Sequence, residues 1–113
     1  VGWLSGSFLL VNRKTFAKIG GFDDRFFMFF EDVDLGRRIK LAGYRNVYVP
    51  TAQVTHSGAH ATSTHEKAMV LAHHRSAETF LGDLYSHPFQ RPLRVALTAG
   101  LRFRAWWITR KLR

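Results

Sequence analysis

The 113-residue chain has no cysteine. This excludes a disulfide framework and a thiolate zinc site, and it fits a cytoplasmic setting. Proline occurs only at Pro50, Pro88 and Pro92, and each is expected to interrupt an element. No apolar run reaches about 18 residues, so nothing is expected to span a bilayer. No signal peptide is legible; the chain begins at Val1 with an apolar run, so a fragment lacking its beginning is expected. Acidic residues are few, 8 against 17 Lys and Arg, and none follows Asp83. Residues 91–113 carry Arg91, Arg94, Arg102, Arg104, Arg110, Lys111 and Arg113 against a net charge of +9. Such a tail suits a polyanion, either nucleic acid or the anionic face of a bilayer.

What is present is enough for one domain with a core, at 46% hydrophobic residues. The organising stretch is Phe26-Phe27-Met28-Phe29-Phe30 running into Glu31-Asp32-Val33-Asp34-Leu35-Gly36. Five bulky apolar residues deliver three carboxylates to the start of a helix. That helix places Leu35, Ile39 and Ala42 on one face and stops at Gly43. Its acidic first turn and its later Arg37, Arg38 and Lys40 follow the order the macrodipole favours. Before it, Phe8 to Val11 reads as a buried strand, and Arg13 to Ile19 as a helix ended by Gly20-Gly21. After it, Arg45–Val49 and Ala52–His56 read as strands or extended pieces, and Ser57–Ser63 as a loop. Thr64–Asp83 reads as a helix with Ala68, Leu71, Ala72, Arg75, Thr79 and Leu84 along one side. Leu93–Leu112 reads as another, striped by Leu93, Leu97, Leu101, Ile108 and Leu112 and flanked by Trp106-Trp107 and arginines. That mixture resembles an interfacial helix.

Three groups of residues suit chemistry, each with a plainer reading beside it. Glu31, Asp32 and Asp34 are either helix caps or a base poised at a cavity mouth; the two roles are compatible, because the positive helix end favours a carboxylate. His56, His60 and His65, with His73-His74 beyond, are either solvated loop histidines or a source of one ligand to a divalent metal. Trp3 and the phenylalanine run either fill a core or line a cavity.

Ordered motifs then carry a resemblance: Gly2-Trp3-Leu4-Ser5-Gly6-Ser7, Gly20-Gly21-Phe22-Asp23, Phe29-Phe30-Glu31-Asp32-Val33-Asp34-Leu35 and Gly43-Tyr44. Together they resemble the C-terminal half of the inverting glycosyltransferase family 2. Val47-Tyr48-Val49-Pro50, Thr55-His56, Ala72-His73-His74-Arg75-Ser76 and Pro92-Leu93-Arg94 resemble one branch of it. Members of that branch move L-rhamnose from dTDP-rhamnose to a polyprenyl-diphosphate-linked N-acetylglucosamine during cell-wall linker synthesis. The resemblance implies an α/β chain, the acceptor-side half of a GT-A fold with a mixed sheet over residues 1–62. A helical region with a basic, membrane-associated tail follows over 63–113. It implies Asp32 as catalytic base and Glu31, Trp3, Ser5 and Gly6 as substrate-binding residues. Arg75 is implied at the acceptor diphosphate and His56 at a Mg²⁺ or Mn²⁺ site. The site would lie at the cytoplasmic face of the plasma membrane. The family's nucleotide-binding half and its Asp-x-Asp motif are not in this chain, so the fragment alone is expected to be inactive.

Two other readings stay open from composition alone. A nucleic-acid-binding module would explain the charge, although no such motif is present. A bare membrane anchor would explain the tail and leave the Phe–Glu–Asp stretch without a purpose.

Overall fold

The structure, a computed structural model, describes residues 1–56 and 66–112. Its elements are α1 (Arg13–Lys18), α2 (Glu31–Leu41), α3 (Glu66–Leu84), a short 3-10 turn (Pro88–Gln90) and α4 (Arg91–Lys111). The chain divides into two compact units. Among the described residues, one gathers 1–24 with 30–56, and the other gathers 25–29 with 66–112.

The expected mixed sheet is not there. Among the described residues no strand forms, and Phe8–Val11, Arg45–Val49 and Ala52–His56 run without a ladder. A strand is held by a hydrogen-bonded neighbour and by one buried face, and alternation in the sequence supplies neither. Leu10 is 95% exposed, and Phe8, Val47, Tyr48, Val49 and Val54 are exposed as well. The expected loop at Ser57–Ser63, together with His60 and His65, lies outside the described residues.

In the first unit the helices end as their sequences direct. Asn12 caps α1, its Oδ1 accepting from the Lys14 and Thr15 N–H groups. Gly20 and Gly21, at φ 83° and 72°, close it: their N–H groups donate back to Ala17 and Phe16. The same motif ends α2, where Gly43 at φ 85° donates to Lys40 and Tyr44 donates to Ile39. Leu35 and Ile39 are buried as expected, whereas Ala42 is exposed.

One ion pair ties these pieces together. Asp34 is 2% exposed and its Oδ2 accepts from Arg38 Nε at 2.6 Å, one helical turn on. Arg38 Nη1 then donates to the carbonyls of Ile19 (2.9 Å) and Gly21 (2.7 Å). The glycine turn leaving α1 is thereby fastened to α2 by a guanidinium that Asp34 balances.

In the second unit, α3 and α4 pack as an antiparallel hairpin, with Arg102 on Glu78 at 3.0 Å and Arg104 on His74 at 3.0 Å. Arg25 reaches Asp83 with both nitrogens, at 3.1 and 2.6 Å. The buried residues of α3 are His74, Ser76 and Ala77, whereas Leu71 and Arg75 of the expected stripe are exposed. Polar residues go inside because their partners are there: Ser76 Oγ donates to the Met28 carbonyl at 2.7 Å, and His74 Nδ1 meets the Val70 carbonyl at 2.7 Å. On α4 the buried residues are Ala105 and Thr109, small enough for close helix approach, and Leu93 and Leu97 are exposed. Pro92 opens α4 rather than interrupting it, since a first-turn residue needs no N–H partner.

Asp34→Ala should strand the Arg38 guanidinium and destabilise the fold by about 3–5 kcal/mol. A denaturant midpoint within error of the unsubstituted protein would show that the pair is dispensable.

Candidate active site at the start of α2

The phenylalanine run approaches α2 through two left-handed residues. Phe29 and Phe30 sit at φ 67° and 66°, where side chains with a Cβ are strained by about 1–3 kcal/mol each. Phe30 is the N-cap of α2, and its carbonyl accepts the first helical bond, from Asp34 N–H at 2.8 Å. Because Phe30 has no capping side chain, the exposed amides of the first turn turn to the carboxylates that follow.

Asp32 takes up one of these backbone donors and a second from outside the helix. Its Oδ1 accepts from the Val33 N–H at 2.8 Å, and its Oδ2 accepts from the Gly6 N–H at 2.7 Å, 26 residues upstream. A methyl on Gly6 would lie 3.5 Å from Asp32 Oδ2 and 3.7 Å from Glu31 Oε1, so the Gly6 backbone lies against both carboxylates. Glu31 Oε2 is enclosed and has no hydrogen-bond partner among the described residues.

A second contact fixes the segment that carries Gly6. An added Cβ at Gly36 would fall 2.8 Å from Trp3 Cβ and 2.9 Å from Trp3 Cα, so only glycine lets the Trp3 backbone lie on α2. Asn46 Nδ2 seals the arrangement by donating to the Gly2 carbonyl (2.9 Å) and the Gly36 carbonyl (2.8 Å). Trp3, Ser5 and Gly6 are thus delivered to the start of α2, where Glu31 and Asp32 are.

The structure brings Trp3, Ser5, Gly6, Glu31 and Asp32 of the sequence-derived set into one neighbourhood. Asp34, grouped with them by adjacency, belongs instead to the buried clamp on Arg38. Arg75 is exposed on α3, in the other unit. His56 is exposed in the extended piece 52–56, and among the described residues no three His, Asp or Glu side chains converge to hold a metal. No full ligand set for a divalent cation is therefore present among the described residues, and His56 stands as a single candidate ligand. Sequence reasoning missed Gly36 and Asn46; a glycine inside a helix whose neighbours favour helix was the one available signal.

A carboxylate held by two amides, beside an open segment of small residues, is arranged to receive a proton from a hydroxyl that approaches its unused lone pairs. The chain belongs to a glycosyltransferase class: residues 1–78 match the model of the glycosyltransferase-like family 2. It is 48% identical over 110 residues to the N-acetylglucosaminyl-diphospho-decaprenol L-rhamnosyltransferase of Mycobacterium tuberculosis, which covers 97% of this chain and 36% of that relative. It is also 45% identical over 60 residues to the rhamnosyltransferase WbbL of Escherichia coli, covering 53% of this chain and 23% of that protein. The chain therefore spans little more than a third of the length of the first of these relatives. No solved structure matches it.

Gly36→Ala should force the Trp3 backbone off α2 and destabilise the protein by about 1–3 kcal/mol. Unchanged melting in that variant would mean the approach of Trp3 to α2 is not required.

Proposed function

We propose that this chain is the acceptor-side part of an enzyme that transfers L-rhamnose from dTDP-rhamnose to a polyprenyl-diphospho-N-acetylglucosamine, in cell-wall linker synthesis. The observation that carries it is the Asp32 carboxylate, oriented by the Gly6 and Val33 amides next to the Trp3–Gly6 segment. Relatives named as rhamnosyltransferases support the sugar and the acceptor.

In this reading the acceptor hydroxyl gives its proton to Asp32 while its oxygen attacks the anomeric carbon of the donor. The carbon–oxygen bond to dTDP breaks on the opposite face, and dTDP leaves with the electron pair. Configuration at that carbon inverts. Glu31, the carboxylate adjacent to Asp32, is the acceptor for a second sugar hydroxyl. Mg²⁺ or Mn²⁺ belongs to the same proposal through the family alone, because the described residues hold no cluster for it.

The same proposal places the protein on the cytoplasmic face of the plasma membrane. No described helix is long and apolar enough to cross one. Support comes from α4, where Phe103, Trp106 and Trp107 are exposed and cluster with ring centroids within 6.4 Å of one another. Arg110 lies 4.6 Å from the Trp106 ring and Lys111 lies 5.0 Å from that of Trp107. Paired aromatic and cationic side chains of this kind suit a headgroup layer with anionic lipids.

In the full-length gene product, Asp32→Asn should lower kcat for rhamnose transfer by about 10²–10⁴ with little change in donor binding. Turnover equal to the unsubstituted enzyme would leave Asp32 a helix cap. Replacing Arg110 and Lys111 by Gln should weaken binding to phosphatidylglycerol vesicles about 30-fold. Full retention on vesicles in a flotation assay would remove α4 from the membrane contact.

A further inference from the structure

A second site lies within the α3–α4 hairpin. A cavity of about 620 Å³ opens there, lined by Phe29, Met69, Val70, Ile108 and Leu112 along its walls, with His73, His74, Arg104 and Glu66 as its polar groups. That volume is within the usual range for small-molecule sites. Its polar groups are not scattered. Because the helices run antiparallel, with Arg104 on His74, the positions that follow pair Ile108 with Val70 and Leu112 with Glu66. The cavity therefore has a cationic end at His73, His74 and Arg104 and an apolar body about two helical turns long. Glu66, its acidic group, sits at the far end, about 10 Å of helix away from the histidines.

The cationic end is preorganised. His74 is buried, its Nδ1 faces the Val70 carbonyl at 2.7 Å, and its Nε2 lies 3.0 Å from Arg104 Nη1. An arginine can only donate, so Nε2 accepts and the ring carries its proton on Nδ1. That bond uses one of the five guanidinium N–H donors and leaves the rest of the fork for an anion. Phe29 packs edge-on to His73 at 5.2 Å. Partial burial lowers the His73 pKa below the usual imidazole value, and the positive charge of Arg104 lowers it further. Arg104 is the permanently charged group at this end.

An apolar body with one guanidinium at one end is complementary to a long hydrocarbon bearing an anionic head. We propose that this cavity holds the first prenyl units of the lipid-linked acceptor, with its diphosphate on Arg104. This deepens the acceptor reading above and rests on it. The apolar lining and the Arg104 fork suit any long hydrocarbon with a phosphate head; the prenyl diphosphate is chosen because it is the lipid of the acceptor reading, and the competition arms below separate it from a phospholipid. Helix α4 carries both this wall and the exposed tryptophan cluster, so the chain would pass to the cavity from the layer the tryptophans occupy.

The test is photolabelling of the full-length gene product with a diazirine-bearing farnesyl diphosphate, which has no sugar, followed by peptide mapping. Labels are expected on peptides containing Met69–His74 and Arg104–Leu112. Unlabelled farnesyl diphosphate should compete, whereas pyrophosphate alone and phosphatidylglycerol vesicles should not. Val70→Trp or Ile108→Trp, filling the cavity, should cut labelling about tenfold or more. Arg104→Gln should weaken competition by farnesyl diphosphate about 10- to 100-fold and leave competition by farnesol unchanged. Labels elsewhere in the chain would overturn the proposal. So would equal competition by phosphatidylglycerol, or labelling indifferent to both the filling variants and Arg104→Gln. Labelling here in a protein that transfers no rhamnose would keep the prenyl site and sink the transferase reading instead.

Discussion

The buried Asp34–Arg38 pair is the constraint on which the first unit depends. A guanidinium this enclosed needs a carboxylate within reach, and Asp34 supplies it from the turn below. Once balanced, Arg38 has donors left for two carbonyls of the Gly20-Gly21 turn, so α1 and α2 are joined through charge rather than through a large apolar contact. Few large side chains are fully buried among the described residues, and of these Leu35 is the one with almost no exposure. With so little apolar burial among the described residues, this ion pair and its two carbonyl bonds do much of the joining of α1 to α2. It also separates two carboxylates that look equivalent in the sequence: Asp34 turns inward to the arginine, while Asp32 stays at the helix mouth with the backbone.

The helices were legible because their signals are local. Asn12, the acidic start of α2, and the glycines after each helix act within a few residues, so reading them needs no tertiary knowledge. The strands were not legible in the same way. Alternation over Arg45–Val49 marks residues suited to a sheet, but pairing is a property of a neighbour, and the described residues provide none. The buried faces of α3 and α4 were read only in part, with Leu101, Ile108 and Leu112 half-buried but Leu71, Leu93 and Leu97 exposed, for a related reason. Hydrophobic spacing picked leucines, whereas the hairpin buried Ser76, His74 and Thr109 because each finds a hydrogen-bond partner inside.

At the site, the motif positions gave the neighbours of Asp32 but not the reason they are neighbours. Gly36 and Asn46 provide it, one by having no side chain and the other by bridging two carbonyls. Neither belongs to a catalytic residue type, so a search for acids, bases and ligands passes over both. Arg104 was equally hidden. In the sequence it is one arginine among many in a basic tail, and only its pairing with His74 across the hairpin sets it apart.

The two amides on Asp32 have a further consequence for selectivity. A carboxylate on a flexible loop can turn to follow whichever hydroxyl arrives. This one has each oxygen pinned by a backbone N–H, one of them from its own helix and the other from a segment locked by Trp3 on Gly36. Its open lone pairs therefore point in fixed directions, and in the proposed transfer a sugar would have to be rotated until one hydroxyl met them. Discrimination among hydroxyls of nearly equal acidity would then be a matter of angle, written into the backbone rather than into the strength of the base.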